Sequence, residues 1–246
     1  MDDYLRRNRT RWNDDSDTYQ QRHSGQLDSA GMAWGTYSIP DTDVGALGDV
    51  AGKRALELGC GGAQFGRAVA AAGAEVFGLD MSEVQLTHAR RNAPGMPLVQ
   101  ASGDAIPFAD ASFDLVFCDH GAIGWGDPAT ILPEAARVLK PGGRLAFNIS
   151  TRLFAICWDD DLGALGTRLI GDYFGDDRHD DEEDVYFAPT ISRWVRLLRS
   201  SGLRIENMIE LRPPEGATST YADSFPYEWC SRWPGEHIWV ATKPRA

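Results

Sequence analysis

The chain has 246 residues, 43% of them hydrophobic, and a formal charge of −12 at pH 7. That length and apolar content bury a substantial core, as one domain or as one domain with a lid. The acidic balance argues against a nucleic-acid surface, and neither a membrane-spanning apolar run nor a signal core in the N-terminal MDDYLRRNRT is present.

Residues 4–23 are polar, with Trp12, Tyr19 and His23 spaced to share one face of a helix. Residues 24–49 are rich in Gly and Pro and read as a loop with a short helix after Pro40; Trp34 and Tyr37 there either close over a ligand or pack as core. Strands are expected at 54–58, 75–79, 98–100, 113–117 and 144–149, and helices at 64–72, 82–92 and 128–139. Ser82 can cap the second of these helices, and Pro141-Gly142-Gly143 ends the third. The alternation implies a mainly parallel sheet with right-handed crossovers. Beyond Ser150 the pattern predicts a helix over 154–170, an acid-rich loop over 171–187, a helix over 190–200 and strands over 203–211 and 237–241.

The segment ALELGCGGAQFG, residues 55–66, is a buried strand running into a glycine-rich turn and a helix. Glycines at 59, 61 and 62 remove side chains where a backbone approaches a ligand closely. This is the first βα unit of a nucleotide-binding sheet, but the third glycine of G-x-G-x-x-G is Gln64, which disfavours NAD. Glu57, two residues before Gly59, repels a pyrophosphate and suits a ligand carrying a positive amino group. A cationic, adenosine-containing ligand fits this loop.

That pattern resembles the first motif of the class I S-adenosylmethionine-dependent methyltransferases. SGDAIPFADASFDLVFCD (102–119) is similar to the second motif, and LPEAARVLKPGGRLAFNIS (132–150) supplies the helix, stop and fifth strand in the family's order. The resemblance covers about 49–150, and its motifs are nearest to the small-molecule branch that includes ubiquinone and menaquinone methyltransferases. It implies an α/β, doubly wound, mainly parallel seven-stranded sheet of Rossmann-like type, whose last strand lies antiparallel between its neighbours. The expected parts are an N-terminal cap (1–48), a cofactor core (49–150), an inserted lid (151–190) and a sheet-closing part (191–246). The implied cofactor is S-adenosyl-L-methionine, held by Glu57, Gly59, Cys60, Gly61, Gln64, Asp80, Met81, Gly103, Asp104, Ala105 and Asp119. In that set Asp80 takes the ribose hydroxyls and Asp104 lies by the adenine amino group. The family often has a glycine where this chain has Ala63, which a helix start tolerates.

The segment CDHGAIGW (118–125) follows the fourth strand and lacks the Asn/Asp-Pro-Pro-aromatic motif of base- and glutamine-modifying relatives. His120 is either a base for an acceptor hydroxyl or a hydrogen-bonding residue only; Tyr19 and His23 are the other catalytic candidates. The expected activity is methyl transfer to a small-molecule acceptor, oxygen favoured, by a cytoplasmic monomer or homodimer without metal, nucleic acid or membrane. The alternatives are a cofactor binder with non-methylating chemistry, such as a cyclisation, or a regulatory binder. Cys60, Cys118, Cys157 and Cys230 have no paired spacing and fit a reducing compartment. The acidic run 176–184, with His179 inside it, reads as a solvated, mobile surface; His88 and His237 read as structural. Trp158, Trp194, Trp229, Trp233 and Trp239 suit a core with an apolar substrate pocket.

Overall fold

The computed structural model describes residues 3–159, 163–180 and 184–245. Its centre is a seven-stranded sheet built from β1 (Arg54–Leu58), β2 (Glu75–Asp80), β3 (Leu98–Gln100), β4 (Phe113–Asp119), β5 (Leu139–Ser150), β6 (Arg204–Glu210) and β7 (Glu236–Thr242). The strand order is β6-β7-β5-β4-β1-β2-β3. The strands from β5 to β3 pair in parallel, while β7 is antiparallel to both β5 and β6. The expected doubly wound sheet, with its final strand inserted antiparallel, is the one observed.

Five longer helices flank it: α1 (Asp3–Ala30), α2 (Gln64–Ala71), α3 (Glu83–Asn92), α4 (Pro128–Val138) and α5 (Ile191–Ser200). Alternation along the strands sorts side chains between two apolar layers. Phe113, Phe147 and Trp239 pack under α4 and α5 with Leu132, Trp194 and Leu198, whereas Leu115, Phe117 and Ile238 face Trp34, Leu47 and Val69. Ser82 Oγ accepts from Gln85 N at the start of α3, as expected, and Asp127 and Thr190 cap α4 and α5 in the same way. Among the described residues no helix is long and apolar enough to cross a membrane.

Three expectations are corrected. Helix α1 does not stop at His23 but continues through exposed Gly25 to Ala30, ending where Gly31 takes a φ of +66°. The local cost of Gly25 is overridden by tertiary contacts of the last turns: Gln26 Nε2 donates to Thr36 O at 2.8 Å, and Asp28 pairs with Arg67 at 2.9 Å. The predicted helix over 154–170 is only Arg152–Cys157; the chain then turns back, pairing Trp158 with Leu165 and Asp159 with Ala164. Helix α4 ends at Val138, before Pro141, because Leu139 is already extended and β5 runs through Pro141-Gly142-Gly143.

The acid-rich segment is organised around one buried guanidinium. Arg152, 4% exposed, donates to the carbonyls of Asp172 (2.6 Å), Tyr173 (3.2 Å), Asp176 (2.7 Å) and Ala188 (3.2 Å), and its Nη1 lies 3.1 Å from His179 Nε2. The described part of the run is anchored through backbone carbonyls while its side chains stay exposed or half-buried, as a solvated surface does; residues 181–183 lie outside the described residues. Asn8 of α1 clamps the next stretch, pairing with both N and O of Val185 at 2.8 Å. Removing a donor from buried carbonyls costs about 1–3 kcal/mol per group. Arg152→Met is expected to lower stability by about that much and to speed limited proteolysis within 171–188 selectively; unchanged cleavage there contradicts the organising role.

Candidate active site

The order of the sheet reverses between β1 and β4, and crevices for ligands form at the carboxyl ends of strands at such a point. Here two backbones meet without side chains: a Cβ on Gly59 would strike Ala122 N and lie 2.7 Å from Gly121 Cα, and Gly59 has a φ of +73°. Gly59 N and Cys60 N both donate to Leu79 O, at 2.8 and 2.9 Å, which ties the loop to the end of β2. The result is an open cleft whose enclosed part holds about 130 Å³.

Three carboxylates surround the loop. Asp80 accepts from Gly61 N and Ser82 N, each at 2.8 Å, through different oxygens, so each oxygen keeps a lone pair directed elsewhere. Glu57 fills the space a side chain on Gly66 would take, and its Oε2 has no hydrogen-bond partner. Burial pushes the Glu57 carboxyl well above the usual carboxylate range, and the charges of Asp119 and Asp80 push it the same way. Burial likewise raises Asp80, and raises Asp119 to about 6. Asp119 accepts from Asn148 Nδ2 at 2.7 Å and from Gly35 N at 3.1 Å.

His120 follows Asp119 in a left-handed conformation, φ 49°. Its Nε2 lies 2.6 Å from Glu236 Oε1, a carboxylate whose side chain is only 6% exposed. Glu236 also accepts from Thr36 Oγ1 (2.6 Å), Thr36 N (3.0 Å) and Asn148 Nδ2 (3.1 Å). Burial acts to lower the His120 pKa, but the hydrogen bond and charge of Glu236 outweigh it and hold the imidazole above its ordinary value. Burial pushes Glu236 upward, and the His120 bond and charge bring it below the usual carboxylate range.

Of the expected cofactor residues, Glu57, Gly59, Cys60, Gly61, Gln64, Asp80, Met81 and Asp119 line the cleft, as do His120 and Tyr19. Gly103, Asp104 and Ala105 sit on the turn after β3 and are not in its lining; Gly103 packs against Ala122, which is. Tyr19 meets Tyr221, hydroxyl to hydroxyl, at 2.7 Å, and burial raises its pKa to about 12, so it holds its proton. His23 lies outside the cleft lining, stacked on Tyr221 at 3.9 Å with Nδ1 2.8 Å from Thr220 Oγ1. Trp34 and Tyr37 are core: Trp34 Nε1 donates to Asp41 at 2.8 Å and Tyr37 OH to Phe225 O at 2.7 Å. Ala63 adopts a φ of 59°, so the glycine that relatives often carry there relieves a left-handed backbone, a reason the helix-start argument does not capture.

Residues beyond the sequence reading complete the site. Gln20 of α1 joins Gln64 (2.8 Å) and Gln85 (3.0 Å) beside Gly62, where a Cβ would collide with the amides of Gln20 and Gln64. Glu236, Asn148 and Thr36 form the support of His120. Among the described residues no cluster of His, Cys, Asp and Glu is placed to hold a metal ion.

A glycine cradle at the switch point, ringed by carboxylates, suits a nucleoside ligand that carries positive charge. Comparison with known proteins is specific: residues 56–147 match the family described as a methyltransferase domain. The chain is 37% identical over 102 residues to a demethylmenaquinone methyltransferase of Renibacterium salmoninarum (42% of this chain, 43% of that one). It is 29% identical over 175 residues to a ubiquinone biosynthesis O-methyltransferase of Acinetobacter baylyi (67% and 68%). A crystal structure of an S-adenosylmethionine-dependent methyltransferase from Mesorhizobium loti superposes with a TM-score of 0.67 at 25% identity, over 81% of this chain and 94% of that one. The [4+2]-cyclase SpnF shares the fold, with a TM-score of 0.59 at 19% identity over 84% and 80%. The matched segment and the fold are similar to those of S-adenosylmethionine-dependent methyltransferases. The aligned stretch spans about half the length of the first curated relatives it matches.

The raised pKa values carry a sign for stability. Glu57, Asp80 and His120 all titrate above their ordinary values in the folded chain, so their contribution is present at lower pH and lost as pH rises through the folded values. His237, buried and lowered to about 4, acts oppositely, but only below its ordinary value of 6.5. In the window that opens at about pH 6.5, the ordinary value of His120, and runs upward, the ligand-free protein is therefore expected to lose thermal stability, and Glu57→Gln to flatten the loss. A melting temperature level or rising across that window contradicts the placement of these charges.

Proposed function

We propose that the chain transfers a methyl group from S-adenosylmethionine to a small-molecule acceptor, with oxygen the favoured acceptor atom. The observation that carries this reading is Glu57: a buried carboxylate, crowded by Asp80 and Asp119, with one oxygen lacking any partner. A group in that condition is stabilised by an incoming cation, and the ligand of this family carries both an ammonium and a sulfonium. When bound, S-adenosylmethionine supplies a methyl group made electrophilic by its positively charged sulfur.

The residues of the chain supply the rest. Glu57 is the partner for the amino group, and Asp80 offers its remaining lone pairs to the ribose hydroxyls. The amides of Gln20, Gln64 and Gln85 close α1 over the glycine turn and exclude water, which favours alignment of two reactants. His120 holds the proton of the acceptor: with Nε2–H donated to Glu236, its Nδ1 is the basic atom, and the carboxylate stabilises the imidazolium that forms. Names of relatives containing O-methyltransferase support the oxygen preference. Binding without methyl transfer, as the shared cyclase fold allows, is separated by one readout, the appearance of S-adenosylhomocysteine with an acceptor panel.

Base catalysis contributes about 10²–10⁴-fold, so His120→Ala is expected to lose that much turnover with cofactor affinity nearly unchanged. Glu236→Gln removes the charge that raises His120, so the acidic limb of the rate profile is expected to move to lower pH while the plateau drops. A loss confined to cofactor affinity, with the acidic limb in place in both variants, contradicts the base assignment.

A further inference from the structure

A second cavity, of about 430 Å³, lies on the other side of His120 and Trp125, which line both it and the cofactor cleft. Its wall is a continuous run of rings that starts at His120. The imidazole meets the edge of Phe225 at 6.0 Å, Phe225 stacks on Phe154 at 4.5 Å and 22°, and Phe154 stacks on Trp158 at 5.8 Å and 22°. Trp125 borders the same cavity; its indole stands edge-on to Trp12 at 5.2 Å, and its Nε1 donates to His120 O at 3.0 Å, so the ring is held by contacts on two sides. The backbone also fixes the position of His120, whose N donates to Asn148 O at 3.0 Å.

We infer that this cavity is the acceptor subsite and that it takes a planar aromatic alcohol, a phenol of two or more rings, lying against the Phe225–Phe154–Trp158 wall with its hydroxyl at His120. The inference rests on the methyl-transfer reading and deepens it by naming the acceptor class. The physical reasons are three. Near-parallel rings repeat at stacking distance, and a flat π-system continues that arrangement, whereas a puckered aliphatic ring does not. The only side chain common to both cavities with a base's chemistry is His120, so an acceptor atom reached from this side meets the proton acceptor and the cofactor cleft at one point. A cavity of about 430 Å³ has room for two fused or linked rings. In the reaction the phenol O–H bond breaks, its proton passes to His120, and an O–CH₃ bond forms as the methyl leaves the sulfonium sulfur, which keeps the electron pair; S-adenosylhomocysteine and the methyl ether are the products.

The test is direct binding, read by tryptophan fluorescence and calorimetry on the full chain saturated with S-adenosylhomocysteine. The probes are 2-naphthol and 4-phenylphenol, each paired with its fully saturated counterpart, decahydro-2-naphthol and 4-cyclohexylcyclohexanol. Each aromatic probe is expected to bind about tenfold more tightly than its saturated partner. Trp158→Ala, at a half-buried position, is expected to reduce that preference several-fold and to leave S-adenosylhomocysteine affinity unchanged; Phe154→Leu keeps apolar bulk without the ring and is expected to act the same way. Absence of aromatic preference for both probes, or a preference untouched by both substitutions, overturns the assignment of the cavity. Failure of S-adenosylhomocysteine to bind while the probes keep their preference instead counts against methyl transfer and leaves an aromatic-binding site standing.

Discussion

The arrangement of the site depends on one buried carboxylate. Glu236, at the first position of the antiparallel strand β7, accepts from His120, Asn148 and Thr36, residues of three other segments. Gly35 is part of the same constraint: its φ is +72°, and a Cβ there would lie 2.6 Å from Glu236 Oε1. A charge this deep is tolerated only because its partners are several and charged or polar; removing one partner of a buried pair typically costs about 3–5 kcal/mol. Through Asn148 and Gly35 N the same network reaches Asp119, so the positions of His120 and Asp119 are set together.

That network divides the molecule's surface chemistry in two. On one side of His120 lie the glycine cradle and the carboxylates of Glu57, Asp80 and Asp119; on the other lies the aromatic wall. The first side crowds buried carboxylates together, and the second sets aromatic rings beside Arg11, Asp184 and Tyr186. A polar and a nonpolar reactant brought together at one imidazole is the geometry a group transfer between unlike molecules requires. Helix α1 serves both sides: Gln20 covers the cradle, and Asn8 and Trp12 fix the strand at Val185 and the ring of Trp125.

The cofactor half was legible because its signals are local. Gly59, Gly61 and Asp80 act within a strand-turn-helix unit whose spacing survives in sequence, and the apolar runs of β1, β2 and β4 leave little choice of element. The half of the site around His120 was legible only at that residue. Glu236 stands 116 residues further on, and no periodicity links the two. The extension of α1 past Gly25 escaped local propensity because contacts to Thr36 and Arg67 decide it. The acidic segment is exposed as its sequence suggests, but its anchoring by the buried guanidinium of Arg152 is invisible there, because backbone carbonyls carry no sequence mark. The helix expected over 154–170 failed for a similar reason: Gly166 N pairs back to Cys157 O at 2.9 Å, and the apolar residues serve a turn, not a helix face.

The central claim is that the cleft is built for a cationic adenosine ligand through Glu57. Calorimetric titration of the intact chain with S-adenosylmethionine and with NAD tests it most directly, with Glu57→Gln alongside. Micromolar binding of S-adenosylmethionine, no detectable NAD binding, and at least a tenfold loss on Glu57→Gln are predicted, a charged hydrogen bond contributing about 1.5–3 kcal/mol. NAD bound as tightly as S-adenosylmethionine, or a Glu57→Gln protein that is folded and binds normally, contradicts it.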